Sequence, residues 1–316
     1  MTESVAAVVV TYNRKELLAE CLDALLRQTR PVQKIILIDN ASSDGTSKFL
    51  RENGYLDNVQ IDYVRLPENT GGAGGFYEGV KRGHEAGYDW LWLMDDDSEP
   101  KLNALQLMYE NLPYENIAAF ANLKVGEDGH PQYGHMGWFK ICSLNNRAIT
   151  PIDSSELTTE LIDIDFASFV GLMVKSSAVN IIGLPKKEFF IHHDDVEYCS
   201  RLRRYGKILL VRDSVIVHKD GRNKRLVKHK SLGRESERIT ISNIWISYYS
   251  FRNLVWLKKN SCNIYPLAIF AMLTRRVAGI IVYDDHKLRR IRFYFKAALD
   301  GITGRFDNSF PVNYRT

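Results

Sequence analysis

The feature that most constrains this chain is an apolar run that ends in three consecutive carboxylates. Residues 90–94 are apolar, Asp95, Asp96 and Asp97 follow at once, and Pro100 then blocks a simple continuation of the strand. Adjacent carboxylates repel one another unless a cation lies between them. Oxygen ligands at a strand end suit Mg²⁺ or Mn²⁺. Two interpretations stay open on this stretch alone, a divalent metal site and a solvated acidic turn.

The first 95 residues alternate apolar strands with amphipathic helices, which predicts an α/β fold. Strands are predicted at 5–10, 34–38, 59–66 and 89–94, and helices at 15–28, 46–53 and 76–86. Continuous β-branched runs such as residues 5–10 are typical of strands covered on both faces, as in a parallel sheet. The polar loops 11–14 and 39–46 follow two of these strands, at the ends where open α/β sheets bind ligands.

A glycine-rich segment precedes the third predicted helix. Four of the five residues 71–75 are glycine, and Asn69 lies just before them. Glycines of this density let a backbone approach a ligand closely, and a helix N-terminus behind them favours phosphate. The alternative interpretation is a tight turn with close packing of the helix.

Two further stretches carry candidate chemistry. Residues 134–165 are irregular and contain Trp138 in a small aromatic and imidazole cluster, which predicts a substrate lid or a long surface excursion. Asp194 and Asp195 open a predicted helix, where the helix dipole keeps a carboxylate ionised; Asp195 is then placed to act as a base, with a plain helix cap by Asp194 as the alternative. His218 follows a predicted strand at 209–217, where it is either a metal ligand or structural.

The charge of the chain is divided unevenly. Residues 1–200 hold 17 Lys and Arg against 30 Asp and Glu, while residues 201–316 hold 25 against 8. We therefore expect a domain at 1–220 and a basic, aromatic-rich helical extension at 221–316, in which 222–238 form a loop and 264–300 two helices. The extension favours a membrane surface, with packing on the protein or oligomerisation as the alternative. Nucleic acid is disfavoured, because no nucleic-acid motif accompanies the charge.

The remaining features bear on compartment. The four cysteines are widely scattered and lack the paired spacing of a zinc site, so they are expected to be reduced thiols of a cytosolic protein. The N-terminus does not resemble a signal peptide. The most apolar later segment, 265–283, has Arg275 and Arg276 in its middle, and central charges argue against a membrane-spanning helix.

Taken together, five motifs resemble those of the family 2 inverting glycosyltransferases. They lie, in order, at 9–14, 39–46, 69–75, 95–97 and 193–195, and the resemblance covers about residues 4–220. It implies a GT-A fold, a mostly parallel sheet flanked by helices, with a nucleotide-activated sugar as donor. Within the family the segments 69–76 and 190–201 are most similar to bacterial galactofuranosyltransferases, and they also fit rhamnosyltransferases that use a dTDP donor. The chain departs from the former by lacking a large N-terminal β domain and by having Phe169 and Val170 where a Trp pair is expected.

The resemblance also implies roles for individual residues. Asp195 matches the catalytic base that takes a proton from the acceptor hydroxyl. The residues that would bind the nucleotide and donor sugar are Thr11, Tyr12, Asn13, Arg14, Asp39, Asn69, Gly74 and Asp96. Those that would hold Mn²⁺ or Mg²⁺ are Asp95, Asp97 and His218. Those that would bind the acceptor are Trp138, His193 and Asp194.

The function expected from the sequence is metal-dependent transfer of galactofuranose from UDP-galactofuranose to a lipid-linked glycan of a bacterial surface polysaccharide. The enzyme would then be peripheral on the cytoplasmic face of the plasma membrane. A dTDP-rhamnose-dependent rhamnosyltransferase is the alternative within the family. A non-catalytic sugar-nucleotide or glycan-binding protein is the alternative from another class. A dinucleotide-dependent oxidoreductase is disfavoured, because the glycines follow the third predicted strand and not the first.

Overall fold

A computed structural model describes residues 3–112, 115–219, 226–231 and 234–308. The chain divides into two compact units. The first unit comprises residues 1–138, 151–187 and 195–219, and the second comprises 139–150, 188–194 and 220–316. The predicted domain boundary at residue 220 stays a prediction.

The described residues form strands and helices that alternate in the first part of the chain and give way to helices in the last. The strands are β1 (Val5–Thr11), β2 (Lys34–Asp39), β3 (Ile61–Arg65), β4 (Trp90–Asp95), β5 (Ser98–Pro100), β6 (Ile117–Val125), β7 (Met136–Phe139), β8 (Ile149–Pro151), β9 (Leu161–Ile164), β10 (Phe166–Ala167), β11 (Leu172–Lys175), β12 (Lys207–His218), β13 (Leu226–Ser231) and β14 (Arg234–Ile239). The helices are α1 (Lys15–Leu26), α2 (Thr46–Glu52), α3 (Gly71–Glu85), α4 (Ala104–Tyr109), α5 (Ser176–Ile182), α6 (Asp194–Tyr205), α7 (Ile244–Ser261), α8 (Tyr265–Tyr283) and α9 (Lys287–Thr303).

The first unit is built on a nine-stranded mixed sheet of order β3-β2-β1-β4-β11-β6-β12-β5, with β9 paired to β12. Strands β1 to β4, β6 and β12 run in one direction, and β11, β5 and β9 run against them. The predicted α/β class with a mostly parallel sheet flanked by helices is therefore confirmed.

Helices cover both faces of β1, as its continuous apolar sequence predicts. Val5, Ala7 and Val9 join the core that contains Leu18 and Leu22 of α1. Val8 and Val10, which point to the other face because side chains alternate along a strand, lie against α3. The contact with α3 is close: a Cβ on Gly79 would come within 2.2 Å of Val8 Cγ1, and one on Gly75 within 2.5 Å of Val10 Cγ1.

The topology brings several polar strand ends to one edge of this sheet. In the register of β1, Thr11 lies opposite Asp39 of β2, and Val10 lies opposite Asp95 of β4. Strand β12 is parallel to β6 and ends at His218. The strand order reverses between β1 and β4, and open α/β sheets bind ligands at such a switch point, outside the carboxyl ends of the strands.

The second unit contains three long helices and a hairpin. β13 and β14 pair antiparallel, so the predicted loop at 222–238 is wrong where β13 and β14 are described; residues 220–225 and 232–233 lie outside the described residues. Helix α9 packs closely on α7, since a Cβ on Gly301 would come within 2.5 Å of the Arg252 carbonyl oxygen. The predicted helical character of the C-terminal region is confirmed.

The cysteine prediction is wrong for one pair. Cys142 and Cys262 of the second unit form a disulfide, with Cα atoms 5.3 Å apart, while Cys21 and Cys199 are free and buried. The pairing joins residues 120 positions apart, so spacing along the sequence could not reveal it. Disulfides are rare in reducing compartments, and this one counts against a permanently reduced protein.

One helix among the described residues, α8, is long and apolar enough to cross a membrane by length and composition alone. Only 22% of its most apolar 18-residue window is buried. The arginines that argued against a spanning helix, Arg275 and Arg276, lie in its second half.

Candidate active site

Asp96, in the turn after β4, is hydrogen-bonded to the end of β1 and to the loop that follows β1. Its carboxylate accepts hydrogen bonds from Thr11 Oγ1 at 2.8 Å, from the Tyr12 N–H at 3.3 Å and from Arg14 Nη1 at 3.3 Å. Burial raises the pKa of Asp96 to about 6, because it outweighs the stabilising charge of Arg14 and the hydroxyl of Thr11. The structure therefore joins the predicted nucleotide loop to the middle acid of the triplet.

Asp97 lies between a cation on one side and an imidazole on the other. Arg14 Nη1 is 2.6 Å from Asp97 Oδ2, and His218 Nε2 is 3.4 Å from Asp97 Oδ1. Burial alone would raise the pKa of Asp97, but a protonated His218, which donates a hydrogen bond to Asp97, and the charge of Arg14 favour the charged form and lower the pKa overall. Arg14 thus supplies a cation that adjacent carboxylates need.

The hydrogen bonds of Gln132 determine which nitrogen of His218 faces Asp97. Gln132 Nε2 donates to the His218 carbonyl oxygen at 3.1 Å, so its Oε1, 2.7 Å from His218 Nδ1, must accept. In the neutral ring the proton is then on Nδ1, and the lone pair of Nε2 points at Asp97 Oδ1. That buried oxygen has no hydrogen-bond partner within the described part of the chain.

In that neutral state Nε2 and Oδ1 are two facing acceptors without a proton between them, which fits a cation. Two ligands of one ion, each about 2.1 Å from it, lie within about 4.2 Å of one another, and the 3.4 Å between Nε2 and Oδ1 satisfies that limit. A ligating histidine usually donates its other ring N–H to an acceptor that orients it, here Gln132 Oε1. Asp97 and His218 would therefore hold a divalent cation.

Asp95 does not complete a three-ligand group. No cluster of three His, Cys, Asp or Glu side chains able to hold a metal occurs among residues 3–112, 115–219, 226–231 and 234–308. The structure brings two of the three predicted ligands together, and Asp95 as a ligand stays a prediction. Mg²⁺ is commonly bound by one or two carboxylates with substrate phosphates, so two protein ligands are compatible with such a site.

The loops after β1 and β2 are tied to each other. Asn13, in the left-handed region at φ 55°, accepts hydrogen bonds from the Ser43 N–H at 2.6 Å and the Asp44 N–H at 3.2 Å. Asp39 is fully buried and accepts from the Ser42 N–H at 2.7 Å and from Tyr63 at 2.6 Å. Asp39 thus supports the loop in this structure, and its contact with a nucleotide base stays a prediction.

The glycine-rich segment forms the first turn of α3 and not a loop in front of it. The predicted helix start near residue 76 is wrong, because α3 begins at Gly71. A Cβ on Gly74 would come within 2.2 Å of Thr70 Oγ1, so close packing at the helix start requires this glycine. Asn69 is exposed and accepts from the Gly71 N–H at 2.8 Å, at the helix N-terminus that would face a phosphate.

Asp195 lies in the first turn of α6 and has a lysine neighbour that the sequence analysis missed. Its Oδ1 accepts from the Val196 N–H at 2.7 Å. Lys124 of β6 is fully buried, its Nζ has no hydrogen-bond partner within the described residues, and Asp195 and Cys199 act on it electrostatically. Burial lowers the pKa of Lys124 from 10.5 to about 7. The signal was a single lysine inside the mostly apolar strand β6.

The segment before Asp195 has a strained backbone. Phe190, His192 and His193 have φ of 64°, 67° and 63°, a region that costs non-glycine residues of order 1 kcal/mol or more each. Asn253 Nδ2 of α7 donates to the carbonyl oxygens of residues 189, 191 and 192 at 2.9, 3.1 and 2.8 Å. Arg252, fully buried, donates to the carbonyls of residues 188 and 189. These two α7 side chains, which the sequence analysis did not assign to a site, hold the strained segment.

The predicted acceptor residues belong to different parts of the chain. His193 is in the second unit, where burial and then the charges of His192 and Lys258 lower its pKa to about 3 and keep the ring neutral. Asp194 is the buried first residue of α6. Trp138 lies in β7 of the first unit and is half-buried. Their contact with an acceptor stays a prediction.

The sequence of the first unit matches a known family. Residues 6–173, more than half of the chain, match the model described as glycosyl transferase family 2. This chain belongs to that family. Its members are glycosyltransferases. The ends of β1, β2 and β4 described above fall within the matched region, whereas Asp195 and His218 lie after it.

Two curated relatives refine the comparison. Galactofuranosyltransferase GlfT1 of Mycolicibacterium smegmatis is 31% identical over 211 residues, which cover 65% of this chain and 67% of that protein. The dTDP-rhamnosyl transferase RfbF of Shigella flexneri is 23% identical over 328 residues, covering 96% of this chain and 97% of that protein. The chain thus spans about two thirds of the length of the galactofuranosyltransferase relatives, 67% of one and 66% of another.

A solved structure confirms the fold. GalNAc-T7, solved with UDP, GalNAc and Mn²⁺, has a TM-score of 0.63 and 15% identity, and the match covers 96% of this chain and 58% of that one. At this identity the likeness shows the fold alone. The GT-A fold expected from the family resemblance is therefore confirmed.

Proposed function

We propose that this chain is a metal-dependent inverting glycosyltransferase that transfers galactofuranose from UDP-galactofuranose to a lipid-linked glycan. The observation that carries the proposal is the pair Asp97 Oδ1 and His218 Nε2, 3.4 Å apart at the edge of the sheet where its parallel strands end. The 31% identity to GlfT1, which is named a galactofuranosyltransferase, supports the donor sugar. Synthesis of a bacterial surface polysaccharide follows from that donor.

The chain's own residues supply the rest of the chemistry. A divalent cation held by Asp97 and His218 would neutralise the diphosphate leaving group. Arg14 holds Asp96 and Asp97 in place, and the loop from Thr11 to Asn13 borders the nucleotide. Asp195 takes the proton from the acceptor hydroxyl as the hydroxyl oxygen bonds to the sugar carbon and the bond to the diphosphate breaks, so one displacement inverts the configuration.

A thermal shift tests the metal site without any turnover. Adding Mn²⁺ with UDP should raise the Tm of the wild-type protein, because a ligand of the folded state stabilises it. His218→Ala should lose that rise. His135→Ala is the matched control, since His135 stacks edge-on against His218 at 4.9 Å between ring centroids and is not one of the two facing acceptors. An equal rise in all three proteins would remove His218 from the metal site.

Asp195→Asn tests the base. The amide keeps the shape of the side chain but cannot accept the proton, so turnover should fall by about 10²-fold or more while UDP binding stays near that of the wild type. Nucleotide release measured with a panel of nucleotide sugars reports both turnover and donor identity. A wild-type rate in the variant would assign the base elsewhere. A wild-type protein that binds nucleotide sugars and transfers none of them would favour the non-catalytic binding protein.

A rhamnosyltransferase is the second candidate, favoured by one observation. RfbF, a dTDP-rhamnosyl transferase, matches nearly the whole length of this chain, including the second unit, whereas GlfT1 matches 65% of it. Competition between UDP-galactofuranose and dTDP-rhamnose for nucleotide release separates the two candidates. Preferential consumption of dTDP-rhamnose would replace galactofuranose as the donor sugar.

The second unit supports peripheral membrane association. Eight of the thirteen exposed large apolar side chains of the described residues lie between 264 and 299, and Phe270, Leu288 and Phe295 are 68%, 74% and 54% exposed. Exposed Lys287 and Arg292 of α9 suit anionic headgroups. The protein should sediment with phosphatidylglycerol vesicles at low salt and be released at high salt; its absence from the vesicle pellet at low salt would assign these side chains to packing or oligomerisation.

The cytoplasmic face of the membrane is the proposed location, because the donor is a soluble nucleotide sugar. The Cys142–Cys262 disulfide is the observation that weighs against it. Maleimide labelling of thiols in intact and permeabilised cells decides the matter. Labelling of these cysteines only after permeabilisation supports the cytoplasmic face.

A further inference from the structure

The second unit contains a cavity of about 160 Å³ that none of the assigned roles uses. Its polar lining comprises Asn146, His192, Ser247, Ser250 and Arg276, and apolar side chains of α7 complete the wall. A water molecule occupies about 30 Å³ of liquid volume, so the cavity is larger than one water requires. It is smaller than the pockets of about 300–1,000 Å³ that hold drug-sized ligands. The size suits a small polar ligand, and the cavity is open enough for the rest of a larger molecule to project from it.

Arg276 brings an uncompensated positive charge to this cavity. Among the residues that the structure describes, no carboxylate pairs with it and no oxygen accepts a hydrogen bond from it, and its Nε is buried without a partner. Its guanidinium lies 5.0 Å from the ring centre of Tyr294, a contact that leaves the N–H donors unsatisfied. A guanidinium without a carboxylate partner favours an anion, and an oxyanion in the cavity would supply the missing negative charge.

Asn146 brings an amide side chain to the same cavity. Because Asn146 and Arg276 both line the cavity, a ligand that contacts both side chains would join an anionic group for the guanidinium to a hydroxyl for the amide. Ser247 and Ser250 add hydroxyls that donate to an oxyanion or accept from a sugar.

The segment that carries Asn146 is fixed in place. Lys258 Nζ donates to the carbonyl oxygens of Ile141 and Ser143 at 2.6 and 2.7 Å. Arg275 Nη1 donates to the Leu144 carbonyl at 2.6 Å. The Cys142–Cys262 disulfide adds a covalent link to the end of α7. The cavity is thus built before a ligand arrives, which lowers the cost of binding.

We propose that this cavity binds a phosphorylated sugar, with the phosphoryl oxygens on Arg276 and a sugar hydroxyl on Asn146. The proposal rests on the proposed function, since the phosphorylated sugar is the glycosyl phosphate end of the lipid-linked acceptor. The same helix, α8, exposes Leu267 and Phe270, 57% and 68% accessible, as apolar surface for the lipid.

Calorimetric titration of the full chain tests the cavity directly. Galactose 1-phosphate should bind more tightly than inorganic phosphate, and galactose should bind most weakly, because the first ligand alone satisfies both Arg276 and Asn146. Arg276→Gln should weaken galactose 1-phosphate about 10-fold or more, through loss of a charge-assisted contact. Arg292→Gln, which removes one exposed charge from α9, is the matched control and should bind as the wild type does.

A second variant and two further arms keep the outcomes distinct. Asn146→Ala should remove the preference for galactose 1-phosphate over inorganic phosphate without abolishing phosphate binding. Equal binding of galactose 1-phosphate by Arg276→Gln and the wild type would overturn the proposal. Arg276-dependent binding of phosphatidylglycerol vesicles, without such binding of galactose 1-phosphate or inorganic phosphate, would also overturn it and would indicate a lipid-headgroup site. Arg276-dependent binding of galactose 1-phosphate by a protein that transfers no sugar would support the cavity and refute the proposed function. Transfer without Arg276-dependent binding would do the reverse.

Discussion

Substituting Gly79 of α3 by alanine should destabilise the first unit, because this glycine lets the helix approach β1. The added Cβ would lie 2.2 Å from Val8 Cγ1, whereas unstrained carbon atoms lie about 3.5–4.0 Å apart. Val8 is fully buried and branched at Cβ, so it cannot turn aside. Overpacking of this kind costs about 1–3 kcal/mol, and the better helix propensity of alanine offsets about 0.5–1 kcal/mol. The expected net loss is about 0.5–2 kcal/mol.

Gly72→Ala is the matched control in the same helix. A Cβ there meets nothing within 4 Å, and Gly72 has no positive φ, so the substitution should stabilise by up to about 0.5–1 kcal/mol. The two variants therefore differ in sign. Urea titration followed by tryptophan fluorescence measures both, since Trp90 and Trp92 of β4 are buried beside β1. Hydrogen exchange of β1 amides assigns the change to the first unit.

A double-mutant cycle isolates the contact with Val8. Val8→Ala removes the methyl group that the new Cβ would meet, so Gly79→Ala should no longer destabilise in that background, with a coupling energy of about 1–3 kcal/mol. If Gly79→Ala were as stable as Gly72→Ala, α3 would not approach β1 as described. A coupling energy near zero would place the strain elsewhere.

Three other perturbations have outcomes set by the structure. Lys124→Met should stabilise the protein by a few kcal/mol at pH 7, because the lysine has a pKa of 10.5 in the unfolded chain and of about 7 in the folded chain. The unfolded wild type binds more protons between those pH values, so wild-type stability should rise with pH there. Urea titrations of the variant should lack that rise. Reducing the Cys142–Cys262 disulfide, which closes a loop of 120 residues, should cost up to about 5 kcal/mol of stability, seen as a lower denaturant midpoint in the wild type and no further change in a double Cys→Ser variant. Asn253→Leu should lose about 1 kcal/mol for each of three hydrogen bonds and lower turnover more than UDP binding, whereas Asn260→Leu, which loses one exposed hydrogen bond on the same helix, should do neither.

The strands at the centre of the sheet were predictable because their signal is local. Residues 5–10 and 35–38 are continuous apolar runs, and the structure buries them on both faces. The polar residues that follow them were assigned to one edge because parallel strands end together. The start of α3 was not predictable in the same way, because glycine disfavours helix locally. Contacts with Val8 and Val10, distant in sequence, decide it.

The features that the sequence analysis missed depend on distant partners. The positive φ values at Phe190, His192 and His193 persist through hydrogen bonds from Asn253, about sixty residues later. The disulfide between Cys142 and Cys262 and the position of Arg276 in the wall of a cavity have the same origin. Both depend on segments that meet only in the folded chain. Lys124 differs, because a single charged residue inside a mostly apolar nine-residue strand is visible in the sequence and signals a buried charge.

The acidic triplet shows why identical residues at one strand end need not share a role. Asp96 fixes the end of β1 and the loop after it, since Thr11, Tyr12 and Arg14 all donate hydrogen bonds to its carboxylate. Asp97 has one oxygen 2.6 Å from Arg14 Nη1 and the other 3.4 Å from His218 Nε2. Because Arg14 is charged at every accessible pH, it holds the carboxylates together before any ligand binds. A divalent cation held by Asp97 and His218 would then have to neutralise only the negative charge that a donor diphosphate brings.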